Sequence, residues 1–83
     1  MTEQDRRILA RITEMVDDER RLRDRLAAGE IDGATERDRL GELERELDQC
    51  WDLLRRRRAK EEFGENPDEA HVRPSSQVEG YQA

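Results

Sequence analysis

The sequence predicts an all-α fold: an antiparallel two-helix hairpin of the coiled-coil type, followed by an extended or partly disordered C-terminal tail. Two stretches carry apolar side chains at alternating steps of three and four, which places each set on one face of an α-helix. Gly29 and Gly33 lie between the two stretches, so the apolar faces are expected to pack together around a turn. The first set, interrupted by Glu19, is Ile8, Ile12, Met15, Leu22 and Leu26, and the second is Leu40, Leu43, Leu47, Cys50 and Leu54.

The first helix is expected over residues 2–28 and the turn over residues 29–32. Thr2 can cap the helix N-terminus, and Asp5, three residues later, is a weaker form of the capping-box glutamate. No glycine or proline interrupts the segment before Gly29. This glycine is a natural C-terminal stop because it adopts the left-handed conformation without strain.

The second helix is expected over residues 33–63, and the glycine that follows should end it. Its N-terminus can be capped by Asp32 or, one turn later, by Thr35 with Asp38, and the sequence leaves both alternatives open. Gly41 lies inside this helix and costs about 1 kcal/mol relative to alanine. Close approach of the first helix is one explanation for that glycine.

Residues 1–63 therefore make up the helical hairpin, and residues 64–83 make up an acidic tail that contains proline, glycine and serine. Within the tail, Val72, Val78 and Tyr81 are expected to lie in short extended pieces. These pieces can pack on the hairpin as a clasp, or they can serve as a recognition peptide for a protein partner. Both alternatives stay open.

Charge and cysteine content restrict the partners and the compartment. Sixteen Lys and Arg against 22 Asp and Glu give a net charge of −6, and an acidic chain is a poor general binder of nucleic acid or anionic lipid. No apolar run approaches the length that spans a membrane. The lone Cys50 cannot form an intrachain disulfide, so we expect a cytoplasmic protein.

Four apolar residues lie outside the narrow seam between the helices and widen both apolar faces. An isolated hairpin buries few large side chains for the roughly sixty helical residues that it must order. We therefore expect self-association into a homodimeric four-helix bundle that covers these flanks. The flanking residues are Leu9, Val16, Trp51 and Leu53.

The dense basic segment is the run Arg55–Arg58, followed by Lys60. Such a run can bind RNA or a ribosomal surface. Consecutive helical residues point in different directions, however, and no aromatic residues interleave to stack on bases. Pairing of the run with nearby carboxylates is favoured, and a role as an RNA- or ribosome-associated helper is the alternative.

No pattern in the sequence predicts an enzyme, a cofactor or a metal site. One cysteine and one histidine, His71, are too few soft ligands for zinc, and Cys50 on the apolar face is expected to be a buried hydrophobe. Glu19 is expected to pair with Arg23 or Arg39 in the seam, with a buried acid or metal ligand as the alternative.

The function predicted from the residues is therefore a non-enzymatic protein–protein interaction or adaptor module with an unidentified protein partner. Such a module would offer the flanks of its helices and its tail to the partner. The candidate partner-binding residues are Trp51, Arg55, Arg58, Val72, Val78 and Tyr81.

Four segments carry a resemblance to known proteins: Leu47–Arg55, Glu62–Gly64, Val72–Pro74 and Val78–Tyr81. Together they resemble a family of short bacterial proteins catalogued as domain of unknown function 2630. The string Asp-Gln-Cys-Trp-Asp-Leu-Leu in the first segment is the most specific part, and the likeness extends over nearly the whole chain. It implies a small two-helix protein with a characteristic tail, and it brings no activity, cofactor or catalytic residue.

Overall fold

The computed structural model describes residues 1–82, and it describes side chains through Val78. Over these residues the protein is all-helical, as the sequence predicts. Helix α1 spans Glu3–Ala27 and helix α2 spans Gly33–Glu62. A 3-10 turn at Pro67–Glu69 and a short helix α3 at Ser75–Gln82 follow.

Both ends of α1 follow the local signals in the sequence. The Asp5 backbone N–H donates to Thr2 Oγ1 at 3.1 Å, and the Thr2 backbone N–H donates to Asp5 Oδ2 at 3.2 Å, which completes a capping box. The helix ends at Ala27, and Gly29 has a φ of 75°. That left-handed conformation is the reason a glycine terminates the helix here.

Helix α2 begins with the first of the two caps that the sequence allows. The Asp32 carboxylate accepts from the Thr35 backbone N–H at 2.7 Å, and Gly64, with a φ of 71°, follows the end of the helix. The explanation offered for Gly41 is wrong. A Cβ atom at this position would meet the flexible guanidinium of Arg45, with Nη1 at 3.3 Å, and no backbone of α1 crowds it.

Helices α1 and α2 pack antiparallel along the predicted seam. Ile8, Ile12 and Leu54 form one buried cluster, and four partly buried side chains pack against it: Leu9, Leu47, Cys50 and Leu53. Met15 and Leu22 continue the buried stripe of α1. Ile8 and Leu54 thus share one cluster, as expected for the ends of a hairpin.

The expectation of an extended tail is wrong for residues 75–82, which form α3. Pro74 precedes this helix, and its carbonyl accepts from the Gln77 backbone N–H at 3.0 Å. An eight-residue segment containing Gly80 has little helical stability of its own. Packing against α2 stabilises α3 instead, through Val78, which is only 1% exposed.

Candidate interaction surface

A buried arginine joins the start of α1 and the first part of the tail to α2. The Arg57 side chain is 3% exposed, and its Nε donates to Asp5 Oδ1 at 2.7 Å. Its Nη2 donates to Thr2 Oγ1 at 3.1 Å, and its Nη1 donates to Asp68 Oδ1 at 2.9 Å and to the Pro67 carbonyl at 3.2 Å. We call these five residues the Arg57 cluster.

The charges of the Arg57 cluster are fixed by their mutual contacts. The hydrogen bond from Arg57 holds the pKa of the Asp5 carboxyl below its ordinary value, and the same bond raises the pKa of Arg57. Both groups therefore remain ionised across the neutral range. The cluster fastens α1, α2 and the tail together, and neither group is poised to exchange a proton near neutral pH.

A second polar cluster holds the middle of the tail. Arg73 forms a two-pronged ion pair with Asp52, with its Nε 3.0 Å from Oδ2, and Arg56 Nε donates to the same oxygen at 3.1 Å. Arg56 also donates to the His71 carbonyl, and Gln49 Nε2 donates to the Arg73 carbonyl at 3.1 Å. The Arg73 contact lowers the pKa of Asp52, and the tail segment from residue 67 to 73 runs antiparallel to α2.

The tail thus lies on the hairpin, as the clasp alternative predicted. Val78 is buried, whereas Val72 is 61% exposed. The side chain of Tyr81 falls outside the described residues. Of the three tail positions proposed for partner binding, Val78 is buried within the fold, whereas Val72 is exposed and accessible to a partner.

The remaining three predicted positions share one face of α2. Trp51, Arg55 and Arg58 follow at steps of four and three, which aligns them along the helix. Trp51 is 41% exposed, and both arginines are exposed. Neither arginine has an acidic partner within the part of the chain that the structure describes.

Arg11 pairs with Glu46 on one side of the seam, and helical geometry places Leu9 and Val16 of α1 on the other side, where Trp51 of α2 also lies. Asp5 pairs with Arg57 and Arg11 with Glu46, so Trp51 is level with the α1 turn between residues 5 and 11. Leu9 lies in that turn, and Val16, which is 47% exposed, follows two helical turns later on the same side. We call Leu9, Val16, Trp51, Arg55 and Arg58 the flank surface.

The other basic residues of the run are used within the fold. Arg56 and Arg57 bind the tail and α1 as described, and Lys60 Nζ lies 3.2 Å from Glu65 Oε2 and 3.7 Å from Glu69 Oε2. The run therefore does not form one basic face. The expected pairing with carboxylates is therefore met by Arg56, Arg57 and Lys60 and, among the described residues, not by Arg55 or Arg58.

Cys50 and Glu19 behave as structural residues. Cys50 is half-buried against the apolar cluster, and burial raises the pKa of its thiol, which disfavours the nucleophilic thiolate. Glu19 Oε2 lies 3.9 Å from Arg23 Nη2, at helical i,i+4 spacing. Across the described residues, no group of three His, Cys, Asp or Glu side chains could hold a metal ion, and no helix is both long and apolar enough to cross a membrane.

An open groove of 740 Å³ lies between the helices near the turn. Leu22 and Leu43 contribute its apolar lining, and its rim alternates acidic and basic side chains. Asp18 and Arg21, both on this rim, already pair with each other at 3.2 Å. The groove therefore offers no field of a single sign to a charged ligand.

Comparison with known proteins finds one family model and several close relatives. The family model described as "Protein of unknown function (DUF2630)" matches residues 4–83. Uncharacterized proteins of Mycobacterium bovis and of two Mycobacterium tuberculosis strains, CDC 1551 and H37Rv, are each 51% identical over 77 residues, covering 93% of this chain and 88% of the relative. No solved structure matches the chain.

Proposed function

The chain belongs to the DUF2630 family, and we propose that it is a non-enzymatic protein–protein interaction module. We further propose that two copies of the chain associate through the flank surface. The observation that carries this proposal is the exposure of Trp51 and Val16, at 41% and 47%, on one face of the hairpin. Exposed apolar patches beside polar residues commonly mark interaction sites. Tryptophan and arginine are also the residues most often found at the energetic centre of interfaces.

The rest of the molecule supports a binding role over a catalytic one. Its buried charges, Asp5, Asp52 and Arg57, are bound to one another or to the tail. The tail binds α2 through Gln49, Asp52 and Arg56, and no hydrogen bond or ion pair from the described part of the tail involves Trp51, Arg55 or Arg58. Two hairpins that pack through their flank surfaces would form a four-helix bundle, with coiled-coil contacts between the pairs.

Sedimentation equilibrium combined with circular dichroism tests the proposal. We expect the wild-type chain to have the mass of a dimer at tens of micromolar, because association removes the apolar flank from water. The double variant Val16→Ser, Trp51→Ala should be a folded monomer. Phe63→Ala is the matched control, since Phe63 is a more exposed aromatic residue that lies beyond the end of α2.

The outcome that overturns self-association is a wild-type chain of monomer mass with both helices folded. Dissociation in the Phe63→Ala control to the same extent as in the double variant would also count against the flank surface. Helicity is measured in every sample, so loss of folding is separated from loss of association.

A second candidate function is binding of single-stranded RNA at the same face. Trp51 beside Arg55 and Arg58 combines a ring that can stack on a base with two cations that can bind phosphate. Arg56 and Lys60 are engaged within the fold, which leaves few positive charges for this role on an acidic chain. Retention of RNA at low salt that weakens steeply toward physiological salt would support it, and no retention at low salt would remove it.

We also propose a cytoplasmic location. Cys50 is a free thiol packed against the apolar cluster, and an unpaired cysteine is compatible with a reducing compartment. Cell fractionation with an antibody against the full chain tests this, and recovery in the membrane or secreted fraction would contradict it.

A further inference from the structure

Helix α2 carries a stripe of charged residues whose sign changes at Trp51. Glu44, Asp48, Trp51, Arg55 and Arg58 follow at steps of four, three, four and three, so they lie along one face of the helix. The two residues before the tryptophan are acidic and the two after it are basic. Glu44 and Arg58 are each seven residues from Trp51, so the stripe is antisymmetric in charge about this position.

The four charges of this stripe have no ion pair or hydrogen bond within the described part of the chain. Glu44, Arg55 and Arg58 are exposed and Asp48 is half-buried. Elsewhere on α2 the pattern differs, because Asp52 pairs with Arg56 one helical turn away. The stripe therefore presents unpaired charges of both signs on either side of a partly exposed aromatic ring.

We infer that a second copy docks antiparallel on this face, about a two-fold axis that passes near Trp51. Such an axis brings Arg58 to the partner's Glu44 and Arg55 to the partner's Asp48. Each contact occurs twice, as an interface made of the same patch on both copies requires. A parallel arrangement in register would instead oppose like charges, which is unfavourable.

The same axis is compatible with the α1 half of the flank surface. Leu9 is level with Trp51, so it would face the partner's Leu9 across the axis. Val16, seven residues further along α1, would come level with the start of the partner's α1, where Met1 is exposed. The chain, tail included, is 14 Å across its shortest dimension, so this pairing adds the second layer of a four-helix bundle.

This inference rests on the proposed self-association and specifies its face, direction and register. Two charge-reversed chains test it. Arg55→Glu, Arg58→Glu makes the stripe wholly acidic, and Glu44→Arg, Asp48→Arg makes it wholly basic. Each alone should dimerise at least about tenfold more weakly than wild type at low salt, since every contact becomes repulsive.

An equimolar mixture of the two charge-reversed chains should form a one-to-one heterodimer, since the acidic stripe then faces the basic one. The variant that combines all four substitutions restores the antisymmetric stripe with its polarity inverted, and it should dimerise again. Arg39→Glu, Arg45→Glu is the matched control, with the same charge change at exposed positions of α2 off the stripe. Sedimentation gives the masses, and the emission of the lone tryptophan reports its burial on association.

The results separate the register from self-association itself. A wild-type chain that is a folded monomer overturns both this inference and the proposed dimer. A wild-type dimer whose charge-reversed variants associate as tightly as the control, with no preference for the heterodimer on mixing, overturns the antiparallel register alone. Helicity is recorded for each chain, and the combined variant tests the register even if one reversed stripe impairs folding.

Discussion

Replacement of Arg57 by methionine is expected to destabilise the fold more than any other substitution in the basic run. Methionine keeps much of the side-chain volume but removes the guanidinium. Asp5, whose side chain is 3% exposed, would then be a buried carboxylate without its counter-charge. Arg58→Met makes the same chemical change at the next residue, where the side chain is exposed and unpaired among the described residues.

The size of the effect follows from the contacts that Arg57 makes. Removal of one partner from a buried ion pair costs about 3–5 kcal/mol. The Asp5 contact is short, at 2.7 Å, and the bonds to Thr2 and Asp68 are lost as well. The cluster lies at the open end of a thin molecule, where water can reach a relaxed carboxylate, so we expect about 3 kcal/mol. Arg58→Met should change the free energy of unfolding by less than about 0.5 kcal/mol.

The pH dependence of the free energy of unfolding provides a second, independent test of this prediction. In the wild type the Asp5 pKa is held below its ordinary value of 3.8, so the stabilisation is complete above that pH and is lost as the pH falls through the folded-state pKa. In Arg57→Met, burial without a partner should raise the Asp5 pKa. Lowering the pH from neutral to about 5 should therefore reduce the difference in the free energy of unfolding between the variant and the wild type. The low pKa of Asp52 is common to both chains and cancels in the comparison.

Urea unfolding followed by circular dichroism measures these differences. Low protein concentration keeps association from contributing to the stability. If Arg57→Met is unfolded without urea, Arg57→Lys supplies the measurement, because it keeps the charge and loses the fork of donors. An Arg57→Met stability within about 1 kcal/mol of Arg58→Met, below the cost of breaking a buried pair, would refute the reasoning.

Three further predictions concern the helix interior, the tail and the thiol. Gly41→Ala should stabilise the chain by about 1 kcal/mol, whereas Gly29→Ala should destabilise it by a similar amount because its φ is 75°; thermal unfolding of both variants measures this, and destabilisation by Gly41→Ala would contradict it. Asp52→Ala should speed cleavage by a glutamate-specific protease after Glu69, where alanine follows, at least about tenfold, because the loss of roughly 1.5–3 kcal/mol of charged hydrogen bonding frees the tail; unchanged cleavage would mean that other contacts hold it. Cys50 should react with a disulfide reagent at neutral pH more slowly than in the urea-unfolded chain, because burial raises its pKa, and equal rates would contradict this.

The features predicted correctly from sequence depend on neighbours along the chain. Thr2 and Asp5 make a capping box because the residue types and the three-residue spacing suffice. Gly29 ends α1 because only a backbone preference is involved. Two apolar stripes and a short turn also fix which ends of the helices meet, and this brings Asp5 to the end of α2, although the sequence does not choose between Arg57 and Arg58 as its partner.

The features that sequence analysis missed depend on tertiary contacts. Helix α3 is too short to be indicated by propensity, and it depends on the burial of Val78. Arg73 is the one basic residue of the tail, and that was a usable signal, but its partner Asp52 could equally have paired with arginines on its own helix. The close approach of α1 expected at Gly41 is absent, because the nearest atoms to a Cβ at this position belong to the side chain of Arg45 on the same helix.

The Arg57 cluster also bears on when the protein can fold during its synthesis. Asp5 and Arg57 are 52 residues apart in the chain, and Asp68 lies further on. Helix α1 therefore leaves the ribosome with an apolar face that nothing yet covers, and its ionic partner is translated much later. Contacts so distant along the chain slow folding, and a nascent helix that waits for them is exposed to aggregation. The hairpin is thus expected to close late, as one cooperative event, once translation has passed Asp68.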